Sequence, residues 1–171
     1  MDLSRSLLPN PYDHLPRLPA LAVRSNDFTE GTSLPDNAGF AAGNVSPHLA
    51  WEAPTGTPSL LLSCFDPDAP VAGGFVHWAV ILPGDTTELA TGAGVGGMPK
   101  GTIELTNDYG MSGWGGCAPP EGDVAHRYYF AVTALSALEG DIASDTPYAK
   151  TQFLNLANMT ARGVIMGTYQ L

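Results

Sequence analysis

Four side chains in this sequence are of types that do chemistry near neutral pH, and they fall where a backbone can present them together. Asp66 and Asp68 alternate with Pro67 and Pro70 in the stretch Ser63–Trp78 (SCFDPDAPVAGGFVHW), which closes on His77, and a second histidine, His126, opens the run HRYYFAVTAL. Two imidazoles and two carboxylates can ligate a transition metal, act as general base and orienter in a hydrolase, or bind an anion through imidazoles that the carboxylates orient. The metal reading lacks close H-x-H or H-x-x-E-H spacing. The hydrolase reading lacks a nucleophile, since Ser63, Ser112 and Cys117 sit in no nucleophile-elbow pattern. The bland alternative makes both histidines core residues satisfied by the aspartates. Against it stands the long Gly/Pro-rich segment Asn107–Gly122, containing Trp114-Gly-Gly-Cys-Ala-Pro-Pro120, because a long loop inside a compact domain is more often functional than accidental. A ligand pocket is the better expectation.

The elements that must position these residues are strands. Leu60–Leu62 leads into the acidic stretch and Ala79–Leu82 leads out of it, and continuous apolar runs of this kind read as strands buried on both faces. Pro67 and Pro70 remove donors and fix φ, so they end the ladder and stiffen the loop that carries the carboxylates. With a period of two, His126, Tyr128, Phe130 and Val132 share one face of their strand, and Phe75, His77, Ala79 and Ile81 share one face of theirs. Further strands are expected at Leu21–Arg24, His48–Trp51, Ile103–Thr106 and Gly163–Gln170. Thr146-Pro147 reads as an N-cap and first helical residue, opening a helix to about Ala161 that buries Phe153, Leu156 and Ala157. Gly92–Gly97 formally satisfies G-x-G-x-x-G, but Met98-Pro99-Lys100-Gly101 follows where a dinucleotide fingerprint needs a helix, so it reads as a flexible loop. The fold class is therefore mainly β, a β-dominated α+β chain. Residues 1–18 form a Pro-rich extended arm and residues 19–171 a single domain.

Composition narrows the partners. The chain has 171 residues, 44% apolar and 14% charged, and a net charge of −10 that argues against nucleic acid or an anionic membrane surface. Cys64 reads as a buried free thiol suited to a reducing compartment, and neither a signal peptide nor an apolar run of membrane-spanning length is evident. The expectation is a cytoplasmic protein without cofactor, metal or integral membrane segment. The arm and the acidic surface permit a homodimer.

Asp66-Pro-Asp-Ala-Pro70, Phe75-Val-His-Trp78, Gly116-Cys-Ala-Pro-Pro120 and His126-Arg-Tyr128 follow one another in this order. Together they resemble the phosphatidylethanolamine-binding protein family, also called Raf kinase inhibitor-like proteins, and its bacterial branch in particular, over about Pro19 to Tyr169. The resemblance implies antiparallel β-sheets with one C-terminal helix and a small anion pocket at one edge of a central sheet. Carried over residue by residue, the pocket is Asp66, Asp68, His77, Gly116, Ala118, Pro119, His126 and Tyr128, with Phe75 as a wall. The implied ligand bears a phosphate or carboxylate, as phosphoethanolamine does, and the implied role is non-catalytic, with control of a kinase or protease by protein contact. Val71-Ala72 replaces the family's common Ser-Arg, Phe75 stands where Trp is frequent, and Cys117-Ala118 fills the variable part of the G-x-x-P-P loop.

Overall fold

The two apolar runs pair with each other at the centre of the molecule. The computed structural model describes residue 3 and residues 5–171. Its strands are Val23–Arg24 (β1), Leu49–Trp51 (β2), Ser59–Asp66 (β3), Phe75–Pro83 (β4), Glu88–Leu89 (β5), Ile103–Glu104 (β6), His126–Leu135 (β7) and Met159–Tyr169 (β8), with the helix Tyr148–Leu154 (α1) before the last. A five-stranded antiparallel sheet has the order β6-β4-β3-β7-β8, and a three-stranded antiparallel sheet has the order β1-β2-β5. The mainly β class with a single α-helix among the described residues is what the sequence implies. No helix among those residues is long and apolar enough to cross a membrane.

Two apolar clusters flank the large sheet. Leu60, Leu62, Cys64, Trp78, Val80, Phe130 and Val132 pack with Leu49, Trp51 and Leu89 of the small sheet, while Leu61, Ala79, Ile81 and Leu135 pack with Ile142 and Met159 on the other face. Burying each large apolar side chain is worth about 1.5–3 kcal/mol, so these layers dominate the stability of the fold. A strand buried on both faces has no polar alternation to fix its register. In β3 the polar exceptions supply that constraint: Ser63 accepts a hydrogen bond from the Tyr148 hydroxyl at 2.8 Å, and Asp66 ends the strand.

Three sequence expectations need correction. Phe75 and His77 do not share a face with Ala79 and Ile81. The β3–β4 ladder shifts register between Cys64 and Phe65, so Cys64 pairs with Trp78 and Phe65 with Val76, leaving His77 as the extra residue of a β-bulge. The bulge turns His77 onto the face of Cys64 and Tyr128, against which its ring packs at 5.0 Å. The second correction is the helix. It stops at Leu154, a 3-10 turn covers Leu156–Asn158, and residues 159–161 already belong to β8. Phe153 and Leu156 are exposed by 73% and 52%, and Ala157 is exposed too. The inward side is polar: Asn155 is fully buried, accepting from the Glu139 N–H and donating to the carbonyls of Glu139 and Thr151. The third is Gly92–Gly97, whose first half is packed into the body while residues 95–97 stay exposed. Gly94 donates to the Ser46 hydroxyl and accepts from the Trp114 N–H, and a Cβ there would come within 2.7 Å of Trp114.

Candidate functional site

Asp66 closes β3 and begins the turn that follows it. Its Oδ1 accepts from the N–H groups of Asp68 (2.8 Å) and Ala69 (3.1 Å), folding the Pro67–Pro70 loop back over the strand end. The loop then sends the second carboxylate elsewhere. Asp68 receives the Arg127 guanidinium as a fork, Nε to Oδ2 and Nη2 to Oδ1 both at 2.7 Å, and the Arg127 N–H at 3.1 Å.

His126 opens β7 beside β3, and both of its ring nitrogens meet carboxylates. Nδ1 lies 2.7 Å from Asp66 Oδ2, and Nε2 lies 3.0 Å from Asp123 Oδ2. An ionised carboxylate only accepts, so both nitrogens donate and the ring is an imidazolium between two acids. His77 is held differently. Its Nδ1 faces the carbonyl oxygens of Gly115 (2.7 Å) and Gly116 (3.1 Å), which fixes the proton on Nδ1 and turns Nε2 toward Asp66 Oδ2 at 3.9 Å.

These groups form the floor of a cavity of about 260 Å3, lined by Asp66, Phe75, His77, Tyr109, Ala118 and His126 together with Pro120 and the Ala69–Val71 segment. Phe75 and Tyr109 meet edge-on at 4.7 Å, and Phe40 stacks on the outer side of Tyr109 at 4.8 Å. Of the residues carried over from the motifs, Asp66, Phe75, His77, Ala118 and His126 line this cavity. Asp68 is committed to Arg127. Gly116 acts through its carbonyl, which accepts from Tyr109 and His77. Pro119 is buried beside the cavity, and Pro120 takes its place in the wall. Tyr128 is buried behind His77, with its hydroxyl beside the Cys117 thiol. The cavity sits at the ends of β3, β4 and β7, the middle strands of the sheet.

Sequence reasoning missed Tyr109, Asp123 and Arg5. Tyr109 sits in the long Gly/Pro-rich loop that the sequence marks as functional, so its aromatic type was an available signal. Asp123 stands three residues before His126 in a Gly-containing turn, a common place for a solvated aspartate. Here its side chain is fully enclosed, with Arg5 donating to Oδ1 at 3.0 Å and to Oδ2 at 2.7 Å.

The charges explain the protonation states. Burial pushes the Asp66 carboxyl up, but the hydrogen bonds from His126 and the Asp68 N–H, with the His77 ring nearby, outweigh it and leave the group below its ordinary range. Burial pulls His126 down, and its bonds to Asp66 and Asp123 overcome that, so it holds its proton above the usual histidine range. Asp123 is drawn down to about 2, its own desolvation being outweighed by the bonds from His126 and Arg5. Burial pushes the Cys117 thiol well up, and pushes Tyr109 up to about 12. Neither is ionised at neutral pH. Among the described residues no three His, Cys, Asp or Glu side chains are grouped to hold a metal ion.

Comparison with known proteins gives the family and the fold. A family model described as "Phosphatidylethanolamine-binding protein" matches residues 24–170. The UPF0098 protein YbhB of Escherichia coli is 43% identical over 127 residues, covering 69% of this chain and 80% of the relative. The UPF0098 protein YbcL of the same organism is 35% identical over 162 residues, covering 89% and 88%. The crystal structure of YbcL, described as a new member of the mammalian PEBP family, superposes with a TM-score of 0.83 at 34% identity, covering 88% of this chain and 98% of that one. The PEBP homologue CT736 from Chlamydia trachomatis superposes with a TM-score of 0.77 at 28% identity, covering 89% and 98%.

Proposed function

The chain belongs to the phosphatidylethanolamine-binding protein family, and from that premise we propose that its cavity is a non-catalytic binding site for a small phosphate- or carboxylate-bearing ligand. The observation that carries this reading is the joining of His77 and His126 through the single oxygen Asp66 Oδ2 at the cavity floor. The fixed tautomer of His77 leaves Nε2 as the ring atom that can meet a ligand oxygen when protonated, while Asp66 Oδ2 can accept from a hydroxyl or ammonium of the same ligand. Apolar walls from Phe75, Pro70 and Val71 strengthen such polar contacts by excluding water.

The same arrangement supports the absence of catalysis. His126 has both nitrogens engaged by carboxylates and is not free to act as a base. Ser63 faces the Tyr148 hydroxyl in the other layer, and burial keeps the Cys117 thiol protonated. Two free buried thiols, Cys64 and Cys117, support a cytoplasmic setting, which cell fractionation checks directly. A second reading, docking of a kinase or protease over the cavity mouth, is favoured by exposed Val71 and Phe40 beside it.

The test is an NMR titration of the wild type and His126→Ala with inorganic phosphate and phosphoethanolamine between pH 5 and 8. Saturable shifts at Phe75, Tyr109 and Ala118 are expected, stronger at low pH and lost in the variant. A folded wild type that binds neither ligand removes the small-ligand reading and leaves protein docking in its place.

A further inference from the structure

Arg5 is remote from the pocket in sequence and central to it in space. It lies in the arm, ahead of every strand. Its Nη1 and Nη2 fork onto the two oxygens of Asp123, and Nη2 also donates to the main-chain carbonyl of Asp68. The same Nη2 stands 3.3 Å from His126 Nε2, because both donors converge on Asp123 Oδ2. A surface anchor pairs with an exposed carboxylate. This guanidinium reaches one whose side chain is fully enclosed and already bonded to a pocket histidine.

The two long-range acceptors of Arg5 belong to different segments. Asp68 lies in the loop that Asp66 initiates, and Asp123 lies in the turn that delivers His126 to the start of β7. A planar fork with several fixed donors is suited to tying two such segments together, which a lysine ammonium does less well. The arm is held a second time where the Leu8 carbonyl accepts from Arg127 Nη2 at 2.6 Å, the residue whose fork holds Asp68.

We propose that Arg5 is a positioning residue of the ligand pocket: it clamps the Asp66–Asp68 loop to the Asp123–His126 turn, fixing the His126 ring and the Asp66 carboxylate that the ligand meets. The inference rests on the small-ligand reading for its consequence on affinity. The charged groups facing His126 are Asp66 at the end of β3, Asp123 in the turn before β7 and Arg5 in the arm, with His77 of β4 beyond Asp66. Without Arg5, the enclosed acids Asp66, Asp68 and Asp123 are left, among the described residues, with the ion pairs to Arg127 and His126, so an anion is held less well. Asp123 Oδ2 is then left wholly to His126 Nε2 and a neighbouring positive charge is gone. Both changes make the ring hold its proton to higher pH.

The experiment uses the full chain as wild type, Arg5→Ala and Arg5→Lys. Inorganic phosphate is titrated by NMR, and the ring nitrogens of His126 are followed through a pH series. Arg5→Ala is expected to weaken phosphate binding about five- to tenfold, the effect of one partly screened charge at this range, and to raise the His126 midpoint by about 0.5–1 pH unit. Arg5→Lys keeps the charge without the fork and should fall between the two in both readouts. An Arg5→Ala protein matching wild type in both overturns the proposal and leaves Arg5 as an anchor for the arm. If the wild type ignores phosphate, the small-ligand reading falls separately, and the ring titration alone decides: a raised midpoint keeps the clamp, an unmoved one overturns it. Should Arg5→Ala fail to fold, the same two readouts are compared between Arg5→Lys and wild type, where a shift supports the clamp and identity overturns it.

Discussion

Replacing Asp66 with asparagine tests the ion pair on which the site is built. The amide keeps the shape and an oxygen for the Asp68 and Ala69 N–H groups, but it presents an NH2 or an uncharged oxygen to His126 Nδ1. What is lost is one charge-assisted hydrogen bond at 2.7 Å between side chains exposed by 3% and 1%. Bonds of this kind contribute about 1.5–3 kcal/mol, and with the loop bonds retained we expect a loss of about 2 kcal/mol. For a chain of this size that is a fall in Tm of about 4–8 °C, or about 1 M in the urea midpoint. The pH dependence makes the prediction specific. His126 has a raised folded pKa, so its contribution is fully present below about 6.5 and is lost as pH rises through the folded value; Asp66 has a depressed one, so its contribution is present above about 4 and is lost as pH falls through the folded value. The gap between wild type and Asp66→Asn should therefore be widest between about pH 4 and 6.5 and narrow toward pH 9, where a neutral ring can accept from the new amide. Urea unfolding at pH 5.5, 7 and 9 reads this directly. A gap below about 0.5 kcal/mol, or one constant across that range, would refute the charged pairing of Asp66 and His126.

Two further substitutions test the parts of the fold that shape the pocket and its scaffold. Gly74 has φ of +65°, and a Cβ there would run into the Phe65 ring and approach the Asp66 carbonyl oxygen to 2.8 Å, so Gly74→Ala should cost about 2 kcal/mol or more in thermal unfolding and shift the Phe75 resonances. Equal stability in that variant would show that the loop relaxes freely. On the helix, Asn155→Ala should lose about 1–3 kcal/mol by leaving the Glu139 N–H unsatisfied, whereas Phe153→Ser should stay within about 0.5 kcal/mol; the reverse ranking would restore the apolar helix face that the sequence suggests.

The strands were legible because their signals are local. Leu60–Leu62 and Ala79–Leu82 are apolar without interruption, and the period of two in His126–Val132 survives intact because β7 pairs with β3 in unbroken register from Ser59 to Phe65. The face of His77 was not legible, because a bulge is a property of two strands and no single run of residues encodes it. The helix misled for a related reason. Phe153 and Leu156 have helical spacing, but the buried contact went to Asn155, whose amide can satisfy a neighbouring turn as no apolar residue could. At the site, short motifs with fixed chemistry single out Asp66, Phe75, His77, Ala118 and His126, and these five line the cavity. Asp68 carries the same side chain as Asp66 two residues away, and the Asx turn at Asp66 sends it to Arg127 instead. Arg5 and Asp123 are joined across most of the chain, and nothing short-range marks either one.

The balance of charge in the site constrains what can enter it. Asp66, Asp68 and Asp123 are met by Arg127, Arg5 and the His126 imidazolium, so the enclosed cluster is neutral while the chain as a whole carries −10. A dianion moving into such a place loses its hydration and finds no surplus positive charge to replace it. A ligand that brings its own proton or cation fares better, because it can donate to Asp66 Oδ2 or to the unprotonated His77 Nε2. For a phosphate monoester, whose second proton leaves near pH 6, this favours the monoanion. Ligand and His126 then lose protons in the same direction, so affinity should fall with rising pH more steeply than either titration alone would give. On the proposed small-ligand reading the neutral cluster would therefore act as a filter on charge state, and Arg5, as one of its three cations, would help to set where that filter stands.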